Sequence, residues 1–577
     1  MKPTTIDQPT GSRGPRQNVD AGRWRAFCFH VAPCLAPLAA LCGIAFVILA
    51  PTARGGEASP APIPIAQRTQ GEPYELSGKR WVFTNWFYIR PGSFAWLNDK
   101  GQSVAVAGDE GPWGAHFRRG DSPHGIRLVA QPGQRMGPIL KSERPWESKG
   151  VSMNTLIQDQ GKYRAWGPCW AEKSRGFAYF ESADGLHWQR PELGQVEFDG
   201  RKTNLLDVNF SEGSVFLDPS APPDQRYKSV RLNEMSYEEF EKYKLRRPDG
   251  WEPKAKREDV GKVFFIQGAV SPDGIRWTPL PEPLVVEHSD TQITAYFDSV
   301  IQKYVIYTRG WWVGTQSPTA ATGLSHHWFG PGRRSIGRTE SSDFRRFPLS
   351  ELVLVPLMAM PPSDVLYTNC KTAIPGNPGL HLMFPTVWHQ GDDTTSVVMA
   401  SSQDGKLWDF VPGGPVFHTA PFGEWDGGCV FASPNLVELP DGSFALPYTG
   451  YNFPHKYPRG QLRFSSGYMI WPKGRLVGVE AVEHGEFATA AIVPPGRKLL
   501  VNAVVKRAGS LLVEVAALDG TPLPGRTFAD ADPIVGDQYR KVLTWKGQDT
   551  LAPQAKVPIL LRFRMDRATL FGLDFVD

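Results

Sequence analysis

The sequence is poor in helix-period apolar runs, in net charge and, beyond its first fifty residues, in cysteine. Short runs of β-branched and aromatic residues alternate instead with turns of Gly, Pro, Asp and Asn, and the 577 residues include 52 Pro and 58 Gly. This pattern predicts an all-β fold, and the length predicts two or so domains. A formal charge of +4, without a basic patch among aromatics, argues against nucleic acid as a partner.

Signatures of cofactor and nucleophile chemistry are missing as well. No His, Cys, Asp and Glu cluster has zinc spacing, no glycine-rich loop leads from a strand into a helix, and no Gly-x-Ser-x-Gly elbow occurs. We therefore expect no metal and no cofactor. Three of the six cysteines lie in the N-terminal segment; Cys169, Cys370 and Cys429 are scattered, and we interpret them as buried apolar residues.

The N-terminal segment is a separate object. Residues 26–50 are almost wholly apolar, follow a polar stretch with several Arg and precede a Pro-rich run. Residues 1–54 therefore read as an export signal. The alternative is an uncleaved membrane anchor, because 25 residues suffice to span a bilayer, although Pro33 and Pro37 weaken a helix. Both place the folded part outside the cytoplasm, in the periplasm or beyond. Residues 55–80 read as a flexible linker.

A Ser-x-Asp-Gly-x-x-Trp run recurs along the chain. It occupies residues 182–188, 271–277 and 402–408, and a degenerate copy occupies 341–347. Asp-Gly forms tight turns, Ser and Asp side chains bond turn backbone, and a Trp can pack back on the sheet. The run predicts a folding element rather than a site.

Five segments share a second pattern: an acid, an apolar strand, a turn and a Tyr-rich strand. Their leading acids, 62–78 residues apart, are Glu147, Glu212, Asp290, Asp364 and Asp426. We expect a five-bladed β-propeller over residues 81–475, with each blade's first strand along the channel and its acid near one mouth. Residues 81–140 would supply a leading strand or loops that close the ring, and 234–260 a short helix at the rim. Residues 476–577 predict a C-terminal β-sandwich that packs on the propeller or binds carbohydrate itself.

Several motifs carry a family resemblance: PWES, GKYRAWG, SADGLHWQRPELG, SPDGIRW, GEWDGGCV and LPYTGYNFPHKYPRG. In layout the chain resembles the five-bladed propeller glycoside hydrolases, namely the glycosyl hydrolase family 32 N-terminal domain and family 43-type propellers, with secreted bacterial members. The resemblance implies an exported glycoside hydrolase with a carbohydrate substrate. The chain lacks the Trp-Met-Asn-Asp-Pro-Asn-Gly, Arg-Asp-Pro and Glu-Cys runs of the invertases, so their catalytic roles do not carry over.

Glycoside hydrolysis needs two carboxylates, about 5–5.5 Å apart for retention or 6.5–9.5 Å for inversion. A ring of five acids offers such pairs. Asp426 ranks first, because its glycine-rich turn would let a ligand approach the backbone; Asp290 and Glu147 follow, then Asp364 and Glu212. Trp146 and Trp425 place an indole beside an acid, which suits a sugar face. The alternative is that these acids bond to backbone and hold the blades together.

Other residues are weaker candidates for substrate binding. Tyr367 and Asn369 follow Asp364 in the fourth unit and suit hydrogen bonds to a sugar. His389 and His455 either donate to hydroxyls or are ordinary loop histidines. Arg309 either pins a carboxylate of the site or forms a structural ion pair.

Two functions remain open at the level of sequence. The first is an exported glycoside hydrolase that acts on oligo- or polysaccharides. The second is a non-catalytic propeller that binds glycan or protein, since one fold hosts both. Acids tied up in salt bridges would favour the second.

Overall fold

A computed structural model describes residues 71–92, 95–97, 103–106, 121–257, 260–314, 332–457, 459–552, 554 and 556–577. The export signal or anchor expected over residues 1–54 lies outside this range. Residues 71–80 belong to the folded body, because Tyr74–Glu75 pairs with Ile492–Val493 and Arg80–Trp81 pairs with the last strand. The flexible linker expected over 55–80 therefore does not extend to residue 80.

The described residues confirm an all-β protein. We call five successive antiparallel groups of strands sheets one to five; sheets one and five are joined in one ten-stranded sheet, and sheet four consists of two separate four-stranded sheets. Sheet one contains Thr155–Asp159, Lys162–Trp170, Arg175–Ser182 and Leu205–Leu206. Sheet two contains Ser214–Leu217, Tyr227–Met235, Lys262–Ser271 and Thr278–Pro279, with Lys256–Arg257 at its edge. Sheet three contains Thr294–Asp298, Lys303–Trp312, Arg333–Ser341 and Glu351–Leu354.

Sheet four is built in two halves. One half contains Asp364–Leu366, Thr386–His389, Thr394–Val397 and Phe417–His418. The other contains Lys371–Ile374, Asn377–Met383, Ala400–Ser402 and Asp409–Phe410. Sheet five contains Cys429–Ala432, Val437–Glu438, Phe444–Tyr451 and Phe464–Trp471.

The outer strand of sheet five comes from the other end of the chain. Gln134–Leu140 pairs antiparallel with Phe464–Trp471, and Gly150–Val151 then joins sheet five to sheet one. The N-terminal region thus contributes the strand Gln134–Leu140 to sheet five. Neighbouring first strands also bond each other: Val215 N–H donates to Thr155 Oγ1 (3.2 Å) and Ala295 N–H to Ser214 Oγ (3.0 Å).

The C-terminal region forms a six-stranded sheet that also uses N-terminal strands. Its members are Val477–Ala488, Lys498–Ala516, Gly536–Val542, Leu560–Val576, His124–Ala130 and Arg80–Trp81. The largest apolar core joins this sheet to sheets four and five, with Phe563 and Trp545 on one side and Phe384 and Trp471 on the other. The C-terminal region therefore packs on the rest of the described body.

The remaining elements are short. Two further strand pairs are Ala95–Leu97 with Ser103–Val106 and Glu197–Phe198 with Arg201–Lys202. The 3-10 turns are Pro145–Glu147, Pro223–Gln225, Pro253–Ala255, Arg459–Gln461 and Pro472–Gly474. A helix, Tyr237–Arg246, lies in the predicted insertion; Ser236 and Glu239 form its capping box, and Phe240 and Tyr243 bury its inner face.

The Ser-x-Asp-Gly turns have the structural role that the sequence predicts. In Ser182–Trp188, Ser182 Oγ accepts the Gly185 N–H (2.9 Å), and Asp184 Oδ1 accepts the next two backbone N–H groups. The same bonds recur in the runs at 271–277 and 402–408. The degenerate copy at 341–347 keeps one of these bonds, from the Arg345 N–H to Asp343 Oδ1 (2.9 Å), and has Phe344 where the others have Gly.

Each full turn also receives a hydrogen bond from the sheet before it. The carbonyl of Gly274 in sheet two accepts from Trp166 Nε1 of sheet one (2.7 Å). In the same way Tyr307 of sheet three donates to Gly405 of sheet four (2.6 Å). Tyr468 of sheet five donates to Gly185 of sheet one (2.8 Å). The repeat therefore fastens neighbouring sheets to each other.

Candidate functional site

Asp290 lies just before the first strand of sheet three, in the segment that leads from sheet two. Its carboxylate accepts hydrogen bonds from Arg309 and from Arg334 Nη2 (3.0 Å). Both arginine side chains are buried, whereas a quarter of the Asp290 side chain (25%) is exposed. The Asp290 carboxylate is therefore bound by two buried guanidinium groups and remains partly exposed to solvent.

The ionisation state of Asp290 follows from these neighbours. Burial opposes its charge, but Arg309, Arg334 and His288 outweigh burial and lower the pKa of Asp290 to about 2. Burial also lowers the pKa of Arg309, to about 10, against the pull of Asp290. At neutral pH the Asp290 carboxylate is ionised and Arg309 is charged, so Asp290 can accept a proton or face a positive charge but has no proton to donate.

An aromatic floor lies next to this group and comes from sheets four and five. The Arg334 guanidinium stands 4.0 Å from the centroid of the Tyr367 ring. The His455 ring lies 4.6 Å from Tyr367 and 5.4 Å from Trp388, both edge-on. Lys456 Nζ lies 5.1 Å from the Trp388 ring. Tyr367 and His455, predicted from separate motifs, thus meet beside Asp290 through Arg334.

Glu212 is the second acid at this place. It is exposed, and its backbone carbonyl accepts the Ile293 N–H (2.8 Å), three residues beyond Asp290. Burial raises the pKa of the Tyr367 hydroxyl, Arg334 opposes that rise, and Asp290 and Glu212 both add to it. Glu212 and Asp290 are therefore two acids within electrostatic reach of one tyrosine.

Gln292 connects three sheets beneath this surface. Its side-chain amide donates to the Ala432 carbonyl (2.6 Å) and accepts the Cys370 N–H. Its own carbonyl accepts from Asn369 Nδ2 (2.6 Å). The Asn369 amide, predicted to bind substrate, is buried and holds sheet four against the Gln292 segment.

Asp364 and His389 form a separate pair at the edge of sheet four. His389 Nδ1 lies 2.9 Å from Asp364 Oδ1, and His389 Nε2 lies 3.0 Å from Ser396 Oγ. The Asp364 carbonyl accepts from Arg333 Nη2 (2.7 Å). Both ring nitrogens of the partly exposed His389 are engaged within the protein.

Glu147 and Trp146 are enclosed in sheet one. Glu147 has no exposed surface, and it accepts from Arg190 Nε (2.7 Å) and from the Glu143 N–H (2.8 Å). Trp146 Nε1 donates to Asn204 Oδ1 (3.0 Å) within an apolar core. These contacts fit the alternative in which the acid holds backbone and neighbouring strands in place.

Asp426 is enclosed as well. Its Oδ2 accepts from Arg135 Nε (2.7 Å) and from the Tyr448 hydroxyl (2.7 Å), while Oδ1 has no partner within the described part of the chain. Trp425 stacks on Tyr448 with centroids 5.5 Å apart. The glycine-rich turn is filled by the protein itself, because a Cβ on Gly428 would lie 2.0 Å from the Phe453 backbone.

The structure therefore brings together Asp290, Glu212, Arg309, Tyr367 and His455. It places Asp364 with His389, and it encloses Glu147, Trp146, Asp426, Trp425 and Asn369 in structural contacts. Sequence reasoning missed Arg334, Trp388, His288 and Gln292. The adjacent pair Arg333 and Arg334 was the one available signal for Arg334, and nothing in the sequence links it to Asp290.

Within the described ranges, no cluster of three or more His, Cys, Asp or Glu side chains is arranged to hold a metal ion. The same part of the chain contains no helix long and apolar enough to cross a bilayer.

No family model matches the chain, and a search of curated proteins found no match. Among solved structures, the chain is similar to an N-acetylgalactosamine deacetylase from F. plautii in complex with blood group B trisaccharide. The two are 10% identical over 60% of this chain and 95% of that chain, with a TM-score of 0.37. The GH32 β-fructofuranosidase of Bombyx mori has 10% identity over 76% and 95%, with a TM-score of 0.35. The α-L-arabinofuranosidase of Podospora anserina in complex with cellotriose has 10% identity over 60% and 98%, with a TM-score of 0.36.

These comparisons confirm that the chain resembles glycoside hydrolase structures. Similarity at this level transfers neither an activity nor a residue's role to this chain.

Proposed function

We propose that the five sheets are the blades of a five-bladed β-propeller and that the C-terminal region is a β-sandwich. The proposal is supported by four-stranded antiparallel units that follow one another and bond through their first strands. It is also supported by the N-terminal strand that joins sheet five to sheet one.

The protein hydrolyses glycosidic bonds in oligo- or polysaccharides, with Asp290 and Glu212 as the paired carboxylates. One observation carries this proposal: an ionised, partly exposed Asp290 is fixed by two buried arginines beside an aromatic floor. Sites for small organic ligands combine such apolar walls with a few oriented polar groups.

The two acids have different chemical capacities. Asp290 is ionised at neutral pH, so it activates water or stabilises positive charge at the anomeric carbon. We propose Glu212 as the proton donor to the leaving oxygen, because Asp290, being ionised, has no proton to give. Arg309 and Arg334 orient Asp290 and keep it ionised. The partly exposed His455 contacts the sugar, and the buried Tyr367 ring supports Arg334 and His455 from beneath.

Non-catalytic glycan binding is the second candidate. It is favoured by Glu147, Asp364 and Asp426, which are all held by basic side chains within the protein, and by the Gln292 bridge between sheets. On this alternative the Asp290 surface still binds carbohydrate, and only bond cleavage is absent.

Export belongs to the same proposal. Residues 26–50 act as a signal or as an anchor, so the folded part meets its glycan outside the cytoplasm. Fractionation of cells that express the full chain, with mass spectrometry of its N-terminus, separates a cleaved signal from an anchor. A full-length protein in the cytosolic fraction would contradict export.

The test is a glycan screen of the full-length protein. Sugar release from furanoside- and pyranoside-containing glycans is measured by reducing ends and chromatography, and binding by affinity electrophoresis. We expect Asp290→Asn and Glu212→Gln each to lower release at least about hundredfold, because acid–base groups contribute that much or more. Circular dichroism checks that each variant is folded.

Asp426→Asn is the matched control. Because Asp426 is enclosed, we expect Asp426→Asn to leave sugar release by the folded protein unchanged and to lower the free energy of unfolding by about 2 kcal/mol. Breaking a fully buried ion pair costs more, but the Arg135 side chain is 34% exposed and can be solvated. If folded Asp426→Asn releases no sugar while Asp290→Asn and Glu212→Gln still do, the active site lies at Asp426 instead. Binding without release, lost in Asp290→Asn, would establish the binding alternative, and neither binding nor release from any glycan would refute both.

A further inference from the structure

Three aromatic side chains form an exposed group on two neighbouring loops, which we call the aromatic platform: Phe422, Phe453 and Tyr457. The Phe453 and Tyr457 rings stack in parallel, with centroids 4.2 Å apart and an interplanar angle of 8°. The Phe422 ring lies 6.0 Å from Phe453. Phe422 is 73% exposed and Tyr457 37% exposed.

Contacts within the two loops fix the positions of these exposed rings. Gly428 allows the Phe453 backbone to approach, since a Cβ there would lie 2.0 Å from the Phe453 carbonyl carbon. The Gly428 N–H donates to the Tyr451 carbonyl (2.9 Å), and Glu424 N–H to the Pro421 carbonyl (3.1 Å). The glycine-rich run singled out in the sequence thus positions the platform.

The loop that carries Phe453 and Tyr457 also contacts the aromatic floor beside Asp290. His455 and Lys456 lie between Phe453 and Tyr457 in the chain, and their side chains contact the Tyr367 and Trp388 rings. One short loop therefore carries stacking rings on the platform and contacts to the aromatic floor of the candidate site.

We propose that the platform binds a further sugar ring of an oligosaccharide whose other end occupies the Asp290 surface. The face of an aromatic ring carries negative potential, and it attracts the polarised C–H groups on one face of a sugar. Two of the three rings are phenylalanine and offer no hydrogen bond, so the platform selects mainly for chain length rather than for a particular hydroxyl. This inference rests on the proposed function and narrows the ligand to an oligosaccharide or polysaccharide.

The experiment measures affinity against chain length. Cello-, xylo-, arabino- and fructo-oligosaccharides, from monosaccharide to hexasaccharide, are titrated into the full-length protein by calorimetry. For the series that binds, we expect affinity to rise with length until the platform is reached. Phe422→Ala and Tyr457→Ala should each weaken the long ligands by up to about tenfold, the scale of one aromatic contact, and leave the shortest bound ligand unchanged.

The matched control is Leu245→Ala, which removes an apolar side chain that is 87% exposed on the helix Tyr237–Arg246. It should bind every length as the unmodified protein does. If Phe422→Ala binds each chain length with the same affinity as the unmodified protein, this inference is overturned and the proposed function remains intact. The inference is likewise overturned if the unmodified protein dimerises in sedimentation and Phe422→Ala does not, since a second copy would then cover the platform. If no glycan binds, the proposed function and this inference fail together.

Discussion

Lys371 lies in the second half of sheet four, and it is almost fully buried. Its ammonium group stands 4.1 Å from the centroid of the Tyr296 ring. Burial lowers the pKa of Lys371 to about 7, with Asp298 opposing and Arg338 reinforcing the effect. His381, next to Asp298 (Nε2 to Oδ2, 3.8 Å), has a pKa lowered to about 2 by burial, Lys371 and Arg338, so it stays neutral.

The pKa of Lys371 makes stability depend on pH. The folded state releases this proton near pH 7, and the unfolded state holds it until about pH 10.5. Between these values the unfolded state binds more protons, so Lys371 adds up to about 1.4 kcal/mol of folding stability per pH unit as pH rises. We expect Lys371→Met to stabilise the protein at about pH 6, with a gain that fades towards about pH 9, in chemical denaturation series.

The exposed Lys173→Met serves as control and should show no such trend. If the free energy of unfolding of Lys371→Met differed from that of the unmodified protein by the same amount at both pH values, Lys371 would keep its proton throughout.

Single residues also mark what a sequence can indicate about a site. Asp290 stood among the predicted acids because it precedes an apolar strand, and Arg309 because it closes one; they meet because both flank the same sheet edge. Arg334 lies on the strand Arg333–Ser341, so its contact with Asp290 depends on how that strand pairs with Lys303–Trp312. The ranking of Asp426 failed to anticipate its enclosure, because the partner that covers it, Arg135, lies near the other end of the chain.

At the scale of the element, the Ser-x-Asp-Gly turn combines a local and a distant requirement. Gly274 has φ +78°, a value that L side chains rarely adopt, and a Cβ there would lie 2.7 Å from the Trp166 ring. Gly261 has φ +66° and open space around it. Both glycines have a positive φ that disfavours a side chain, and only Gly274 also packs against Trp166 of the neighbouring sheet.

We therefore expect Gly274→Ala to lower the free energy of unfolding by about 3 kcal/mol and Gly261→Ala by about 1 kcal/mol. The difference reports the packing of Trp166 against the turn and is measured by denaturation of both variants. Equal losses would mean that the turn serves its own sheet alone.

The elements that could be predicted are those with local signals. The alternating strands, the Asp-Gly turns and the helix with its Ser236 and Glu239 cap each depend on residues that lie close together in the sequence. The strands His124–Ala130 and Gln134–Leu140 have short, ordinary sequences, and their partners lie at the far end of the chain. No local pattern specifies such a register, because it is set by pairing and by the face that becomes buried.

At the scale of the whole molecule, the strand Gln134–Leu140 couples sheets one and five. Leu140 is 1% exposed and packs in the core of sheet one with Trp146 and Tyr468, whereas Met136 on the same strand is 38% exposed. A charge at position 140 would be buried without a partner.

We expect Leu140→Asp to lower the free energy of unfolding by more than about 3 kcal/mol and Met136→Asp by less than about 1 kcal/mol. Hydrogen exchange should show loss of protection in Phe464–Trp471 and also in Thr155–Asp159 for Leu140→Asp. Loss confined to the strand Gln134–Leu140 would show that the two sheets are stable independently.

The strand from the N-terminal region also sets an order of events during synthesis. His124–Ala130 and Gln134–Leu140 leave the ribosome early, yet the strands that they pair with are made close to the end. Until then their backbone groups and apolar side chains have no native partner, and unpaired strand edges are prone to aggregation. The body therefore reaches its final form only after the last strand, Leu560–Val576, has been delivered. A chaperone that covers those early strands during synthesis would therefore lower aggregation of this chain.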